Sequence, residues 1–281
     1  MGVSAGAGSV PDMTPAPLAL PHATYLEHLA AESQRFRDVL ATCDLDAPVP
    51  SCPDWDARAL LDHLAGVQWH WGTVVRERIT EDGDLEPPPF PHEREALLAA
   101  YDDASAALQG SLRDTDPDTE VWMWAEDKRV GFIARRQALE AAVHRMDAEL
   151  AAGVPVTAVD PALAADGVLE VLDVMYGGCP PWGSFEPLGP HAVVRCTDTG
   201  DEVTVVVGRF TGTDPDGTSY DEPDLSVRAA DPESEPSAAV TGTADDLLAW
   251  LWHRRGRASV TMTGDATTIE VLVGLLDGAI D

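Results

Sequence analysis

The sequence predicts an α+β protein in two parts, a four-helix bundle followed by a small α+β domain. Two observations carry that prediction. Residues 22–160 hold four stretches whose apolar side chains recur at helical spacing, separated by segments rich in Gly and Pro. From residue 185 onward the pattern changes to short β-branched runs around the turn Thr199-Gly200-Asp201, with two more helical stretches among them. The chain has 281 residues, long enough for two domains with a substantial core. We expect residues 1–21 to be disordered, 22–160 to form the bundle, 161–184 to be a helix and linker, and 185–281 to form the α+β domain.

The first helix, at about 22–42, is marked by Tyr25, Leu29, Phe36, Val39 and Leu40. The second follows "CPDWD", where Asp54 or Asp56 can cap it, and carries Leu60, Leu64, Val67, Trp71 and Val74 on one face. "EDGDLEPPPFPH" then breaks the chain. A third helix is expected at about 93–113 and a fourth at about 131–152, the latter ended by Gly153 and Pro155. A short helix at 161–177 leads to strand-like "HAVVRCTD", "EVTVVVGRF" and "DLSVRAA". An acidic, proline-rich loop at 231–236 precedes the capped helix "TADDLLAWLWHRRG". "ASVTMTGD" reads as the last strand and "ATTIEVLVGLLDGAI" as the closing helix.

Composition narrows the function. With 18 Lys+Arg against 49 Asp+Glu, the formal charge is −31. Such a field repels nucleic acid and anionic lipid. Cys43, Cys52, Cys179 and Cys196 show no C-x-x-C spacing and suggest reduced thiols in a cytoplasm. The first twenty residues lack a basic n-region and a long apolar core, so no signal peptide is expected, and no apolar run reaches membrane-spanning length.

The chemistry concentrates on the fourth helix, "RRQALEAAVHRMDAEL". Leu139, Val143, Met146 and Leu150 mark its buried side, and Glu140, His144 and Asp147 follow the same rhythm one position round. Glu140 and His144, at i and i+4, project from one face about 6 Å apart. That geometry suits two groups converging on one ion, and it equally suits a plain helix surface. His63 lies within the apolar face of the second helix, where an imidazole must be hydrogen-bonded, neutralised or metal-bound. Ligands from the second and fourth helices can meet in a bundle core. Two imidazoles and a carboxylate suit zinc with one position left open, or another divalent ion. Asp147 could orient the His144 ring or form a surface ion pair. His70, seven residues after His63, is placed at the mouth of the same cavity. Arg136, one turn before Glu140, could hold its carboxylate.

"VPSCPDWDARALLDHLAGV", "WMWAEDKRVGFIARRQALEAAVHRMDAE" and "TGTADDLLAWLWHRR…VTMTGD" resemble, in order, the mycothiol-dependent maleylpyruvate isomerase family. The resemblance covers most of residues 22–281. It implies a DinB-like bundle joined to a sterol-carrier-like α+β domain. It also implies zinc held by His63, Glu140 and His144, and a thiol site that includes Arg254, with Arg255 beside it. The implied partners are mycothiol and a small electrophile, with the protein a monomer or homodimer. The implied reaction is cis–trans isomerisation or S-transfer by a metal-activated thiolate. A metal-binding bundle with a stress or regulatory role, and a carrier of an apolar ligand, are the rival readings. The sequence departs from the family at "GTDPDGTSYDEPD", at His253 and at "GGCPPW", all of which bear on the substrate pocket.

Overall fold

The computed structural model describes residues 19–83, 85–227 and 235–278. Most of the segment expected to be disordered, part of the 231–236 loop and the end of "DLSVRAA" lie outside them. Helices α1 (His22–Thr42), α2 (Ala57–Glu77), α3 (Arg94–Asp114) and α4 (Val130–Ala151) form the N-terminal bundle. α1 lies along α4 and α2 along α3. Asp56, rather than Asp54, caps α2: its carboxylate accepts the Ala59 N–H at 2.8 Å.

α4 is not the one-sided helix its sequence suggests. Every residue from Val130 to Glu149 is buried except Glu140. The charged residues that would ordinarily mark a wet face are paired instead. Arg145 meets Glu32 at 2.7 Å and Glu149 at 3.0 Å, Arg135 meets Asp166 at 2.9 Å, and Arg136 bridges Glu140 and Glu170. Buried charges persist only when paired in this way.

Helix α5 (Pro161–Glu170), capped by Asp160 and prolonged by a π-helical turn at Val171–Tyr176, leads out of the bundle. It is wedged between the two halves. A Cβ on Gly167 would stand 2.7 Å from Leu139 of α4 and 2.8 Å from a leucine methyl at Leu248. The C-terminal half is a five-stranded sheet of order β3-β2-β1-β4-β5, with β1 (Gly183–Cys196), β2 (Glu202–Thr213), β3 (Ser219–Ser226), β4 (Ala238–Gly242) and β5 (Thr261–Gly264). Among the described residues only the β1–β4 pair is parallel. α6 (Ala244–Leu251) and α7 (Ala266–Leu276) pack against it. One apolar cluster runs without a break from Trp71 and Leu139 through Leu163 and Val168 to Val194, Leu248 and Leu272. The halves therefore share a core.

The strands differ from expectation at their ends. β1 starts at Gly183, where the alternating pattern is hidden by Pro187, Gly189 and Pro190; a register shift between Pro187 and His191 absorbs them. β3 lies earlier than "DLSVRAA" because the acidic "GTSYDEP" stretch pairs with the extension of β2. Trp182, Phe210 and Tyr220 pack there with centroids 5.4–6.2 Å apart, giving the extension an aromatic anchor of its own.

A candidate metal centre between the two halves

His63 stands two turns into α2, and Glu140 and His144 stand one turn apart on α4. Packing of these helices brings the three together. Glu140 Oε1 lies 3.4 Å from His63 Nε2 and 3.1 Å from His144 Nε2. All three donor atoms fall within 4.8 Å of one another. Donors bound tetrahedrally to zinc at about 2.05 Å are about 3.3 Å apart, so two of the observed spacings already match a shared ion. Among the described residues this is the one His/Cys/Asp/Glu group with that geometry.

Asp147 decides the tautomer of His144. Its Oδ2 lies 2.9 Å from His144 Nδ1 and can only accept, so it holds a proton on Nδ1 and turns Nε2 toward Glu140. Asp147 is itself fully buried and held by three elements. Ser51, in the loop before α2, donates to Oδ1. Arg254, from the far half of the chain, donates Nε to Oδ1 at 2.8 Å and Nη2 to Oδ2 at 2.7 Å. The backbone after α6 aims that arginine. His253 takes a left-handed conformation, φ 61°, and its ring is held to the Leu276 carbonyl at 2.7 Å. This turn folds Arg254 N–H back onto Ala249 O at 2.7 Å.

The electrostatics follow from this geometry. Burial penalises the Glu140 carboxylate, but His144, His63 and Arg136 outweigh it and hold the group well below the usual range. Burial likewise opposes charge on His144, yet Glu140 and Asp147 push its pKa up to about 9. Burial works against Asp147 as well, and the His144 and Arg254 hydrogen bonds bring it down to about 2. The metal-free site is thus an imidazolium clasped by two carboxylates, and a divalent cation is the natural replacement for its proton.

Arg136 donates to Glu140 Oε2 at 3.0 Å and to Glu170 of α5, which fixes the unshared oxygen of the candidate ligand. Arg255 does not join the cluster; it pairs with Asp245 at 2.6 Å and Asp246 at 2.8 Å on α6. His70 lines the groove beside His63 rather than the donor set, with Trp71 at 4.9 Å and Trp122 at 5.7 Å. Ser51, Trp55 and Glu170 had no sequence signal strong enough to place them here. Trp55, which reads as a core or rim residue, sets its ring 4.6 Å from His63 and 6.1 Å from His144. The Cys52 thiol accompanies Arg254 Nη2 at 3.5 Å, and Cys179 is exposed, its thiol raised by burial and Asp224 rather than activated.

The comparisons with known proteins follow the same outline. The family description "Mycothiol maleylpyruvate isomerase N-terminal domain" matches residues 26–149, and "MDMPI C-terminal domain" matches residues 162–270. A solved mycothiol-dependent maleylpyruvate isomerase superposes with TM-score 0.56 at 16% identity, over 88% of this chain and 95% of that one. A histidine-to-alanine mutant under the same description gives 0.55 at 16% identity, with the same coverage of 88% and 95%. At that identity the likeness establishes the fold. No curated protein sequence matches the chain.

Proposed function

The chain belongs to the mycothiol maleylpyruvate isomerase family, and from that premise we propose that it is a divalent-metal enzyme that uses mycothiol against a small electrophile. The observation that carries the reading is the His63–Glu140–His144 donor set with Asp147 fixing the outer nitrogen of His144. A divalent ion bound there, zinc by its ligand chemistry, would lower the pKa of a thiol reaching its open position from the ordinary value of about 8.5. The protein's own groups do the rest. Asp147 keeps the His144 lone pair directed inward, and Arg136 keeps Glu140 from rotating away. Trp55 sets its ring beside the histidine pair on the groove side. Arg254 ties the second half to the site through Asp147, and the family resemblance assigns the same guanidinium to the thiol site. A thiolate sulfur adding to a conjugated double bond, followed by rotation and release of the same sulfur, gives cis–trans isomerisation with no net change of atoms. Retention of the sulfur, with the proton given up by the thiol returned to the carbanion, gives the S-conjugate, the S-transfer outcome, from the same geometry.

The test is optical. Cobalt-substituted protein is titrated with mycothiol and the near-ultraviolet is followed for a sulfur-to-cobalt charge-transfer band. The band should appear with mycothiol and be lost in His144→Ala. A cobalt spectrum unmoved by mycothiol would leave a metal-binding bundle without thiol chemistry.

A further inference from the structure

Arg136 and Arg254 fix the candidate centre from the two halves of the chain, one through Glu140 and the other through Asp147. One side chain meets both. Trp252 caps the C-terminal end of α6, and the Arg136 guanidinium carbon lies over its indole, 5.4 Å from the ring centroid. That of Arg254 lies over the same indole at 5.9 Å. Among the described residues no other ring has two guanidiniums over it. The negative face of an indole attracts a cation within about 6 Å, and more strongly where water is excluded. Both guanidiniums meet that condition, since Arg136 is 4% exposed and the Arg254 side chain 11%.

The indole is itself anchored. Its backbone N–H bonds Leu248 O at 3.0 Å, its carbonyl accepts Arg254 Nη1 at 2.6 Å, and its ring packs on the apolar cluster that joins the halves. Tyr176 OH, from the turn after α5, reaches Leu251 O at 3.5 Å and Leu276 O at 2.8 Å. The His253 ring is tied to the same Leu276 carbonyl, so the chain is pinned on both sides of Trp252. The indole Nε1 is buried and has no hydrogen-bond partner among the described residues. A buried indole N–H ordinarily finds a partner. Here the N–H is left bare, and what the ring offers the site is its face, the strongest of the aromatic side chains toward a cation.

We propose that Trp252 is a positioning residue for the metal centre: its face orients Arg136 and Arg254 together, so the affinity for metal is set by contact between the halves and not by the bundle alone. The ring acts through the two arginines, of which one holds Glu140 and the other holds the carboxylate that turns His144. The inference rests on the metal-binding reading of the triad and is independent of any thiol chemistry there.

The experiment measures zinc affinity of the full chain by competition with a chelating dye in Trp252→Phe, Trp252→Met and Trp252→Leu, with calorimetric melting of the metal-free proteins as the control. None of the three removes a side-chain hydrogen bond, because the indole makes none. Each loses bulk, so all three should melt earlier than the parent. Zinc should separate them. The Met and Leu variants should bind it about 10-fold more weakly, the low end for groups that orient metal ligands, while Phe, which keeps a ring face, stays within about 3-fold. The cobalt ligand-field spectrum at saturation should shift in the Met and Leu variants and match the parent in Phe. A role in packing alone would lower melting in all three and leave zinc affinity untouched. Zinc binding within about twofold of the parent in a folded Met or Leu variant, or a Phe variant weakened by about 10-fold, would overturn the proposal and leave the triad standing as a metal site. A parent chain that binds no divalent ion would overturn the triad and the proposal together. Ring-dependent zinc binding in a protein whose cobalt spectrum ignores mycothiol would support the proposal and remove only the thiol reading.

Discussion

Replacing Asp147 by asparagine tests the centre without touching a ligand. The side chain keeps its shape and loses its charge. An amide oxygen at the Oδ2 position can still accept from His144 Nδ1 and Arg254 Nη2, but the NH2 group then stands at the Oδ1 position, donor against donor with Arg254 Nε, where the carboxylate accepted at 2.8 Å. Asp147 is fully buried and Arg254 nearly so, so the arginine cannot simply turn into water. Breaking one side of such a pair costs about 3–5 kcal/mol. For a chain of this size each kcal/mol moves the melting temperature by about 2–4 °C, which gives a fall of about 6–20 °C in the metal-free protein. We expect the lower half of that range, because Arg254 retains the Trp252 carbonyl at 2.6 Å. The loosened His144 should also weaken zinc by about 10–100-fold. The assays are calorimetric melting and zinc titration against a chelating dye. Arg254→Gln alone should melt early too, and the double variant should lose less than the two singles combined, since neither charge is then stranded. An Asp147→Asn protein that melts within about 1 °C of the parent and binds zinc within about twofold would refute the assigned role.

Zinc uptake at pH 7 should release about one proton, because His144 is protonated below about 9 in the free protein and must be neutral to ligate. Titration calorimetry in buffers of different ionisation enthalpy reads this directly, and a heat independent of buffer would contradict it. The metal-free protein should also have a bounded stability plateau. Asp147, lowered from 3.8 to about 2, contributes stability above pH 3.8 that is lost as pH falls through about 2. His144, raised from 6.5 to about 9, contributes stability below pH 6.5 that is lost as pH rises through about 9. Melting temperature should therefore be flat between about pH 4 and 6.5 and decline on both sides; a rise above pH 7 would be inconsistent. Gly167→Ala should cost about 1–3 kcal/mol, since its Cβ would press into Leu139 and Leu248 together, and unchanged melting would show that α5 is not wedged as described. Glu170→Gln should lower zinc affinity through Arg136 alone, with metal content measured by atomic absorption as the check.

The helices were legible in the sequence because each is a local pattern. The ends of α1, α3 and α4 fall within a residue of where periodicity and the Gly153 stop place them. The cap of α6 was legible for the same reason: Thr243 accepts from Asp246 N–H at 3.1 Å, a side chain acting on backbone three residues away. β1 and β3 were placed less well. Their pairing is set by β2, across Pro187 and the register shift, and not by alternation within each strand.

The candidate site divides along the same line. The convergence of Glu140 and His144 follows from 3.6 residues per turn and could be read directly. His63 reached them only through the expected bundle and the family resemblance, since nothing local in α2 names its partner. For Asp147 the sequence left two roles open, ring orientation or a surface ion pair. Folding chose the first, because α4 is enclosed by α1, α2 and α5 and no surface remained. The partners that fix Asp147, Ser51 and Arg254, lie 96 and 107 residues away along the chain. Sequence determined which faces would be apolar, where helices start and stop, and which groups share a turn, all short-range consequences of backbone geometry. Tertiary structure alone decided which charges would be buried against one another, because that choice is made by desolvation when the two halves close on a common core.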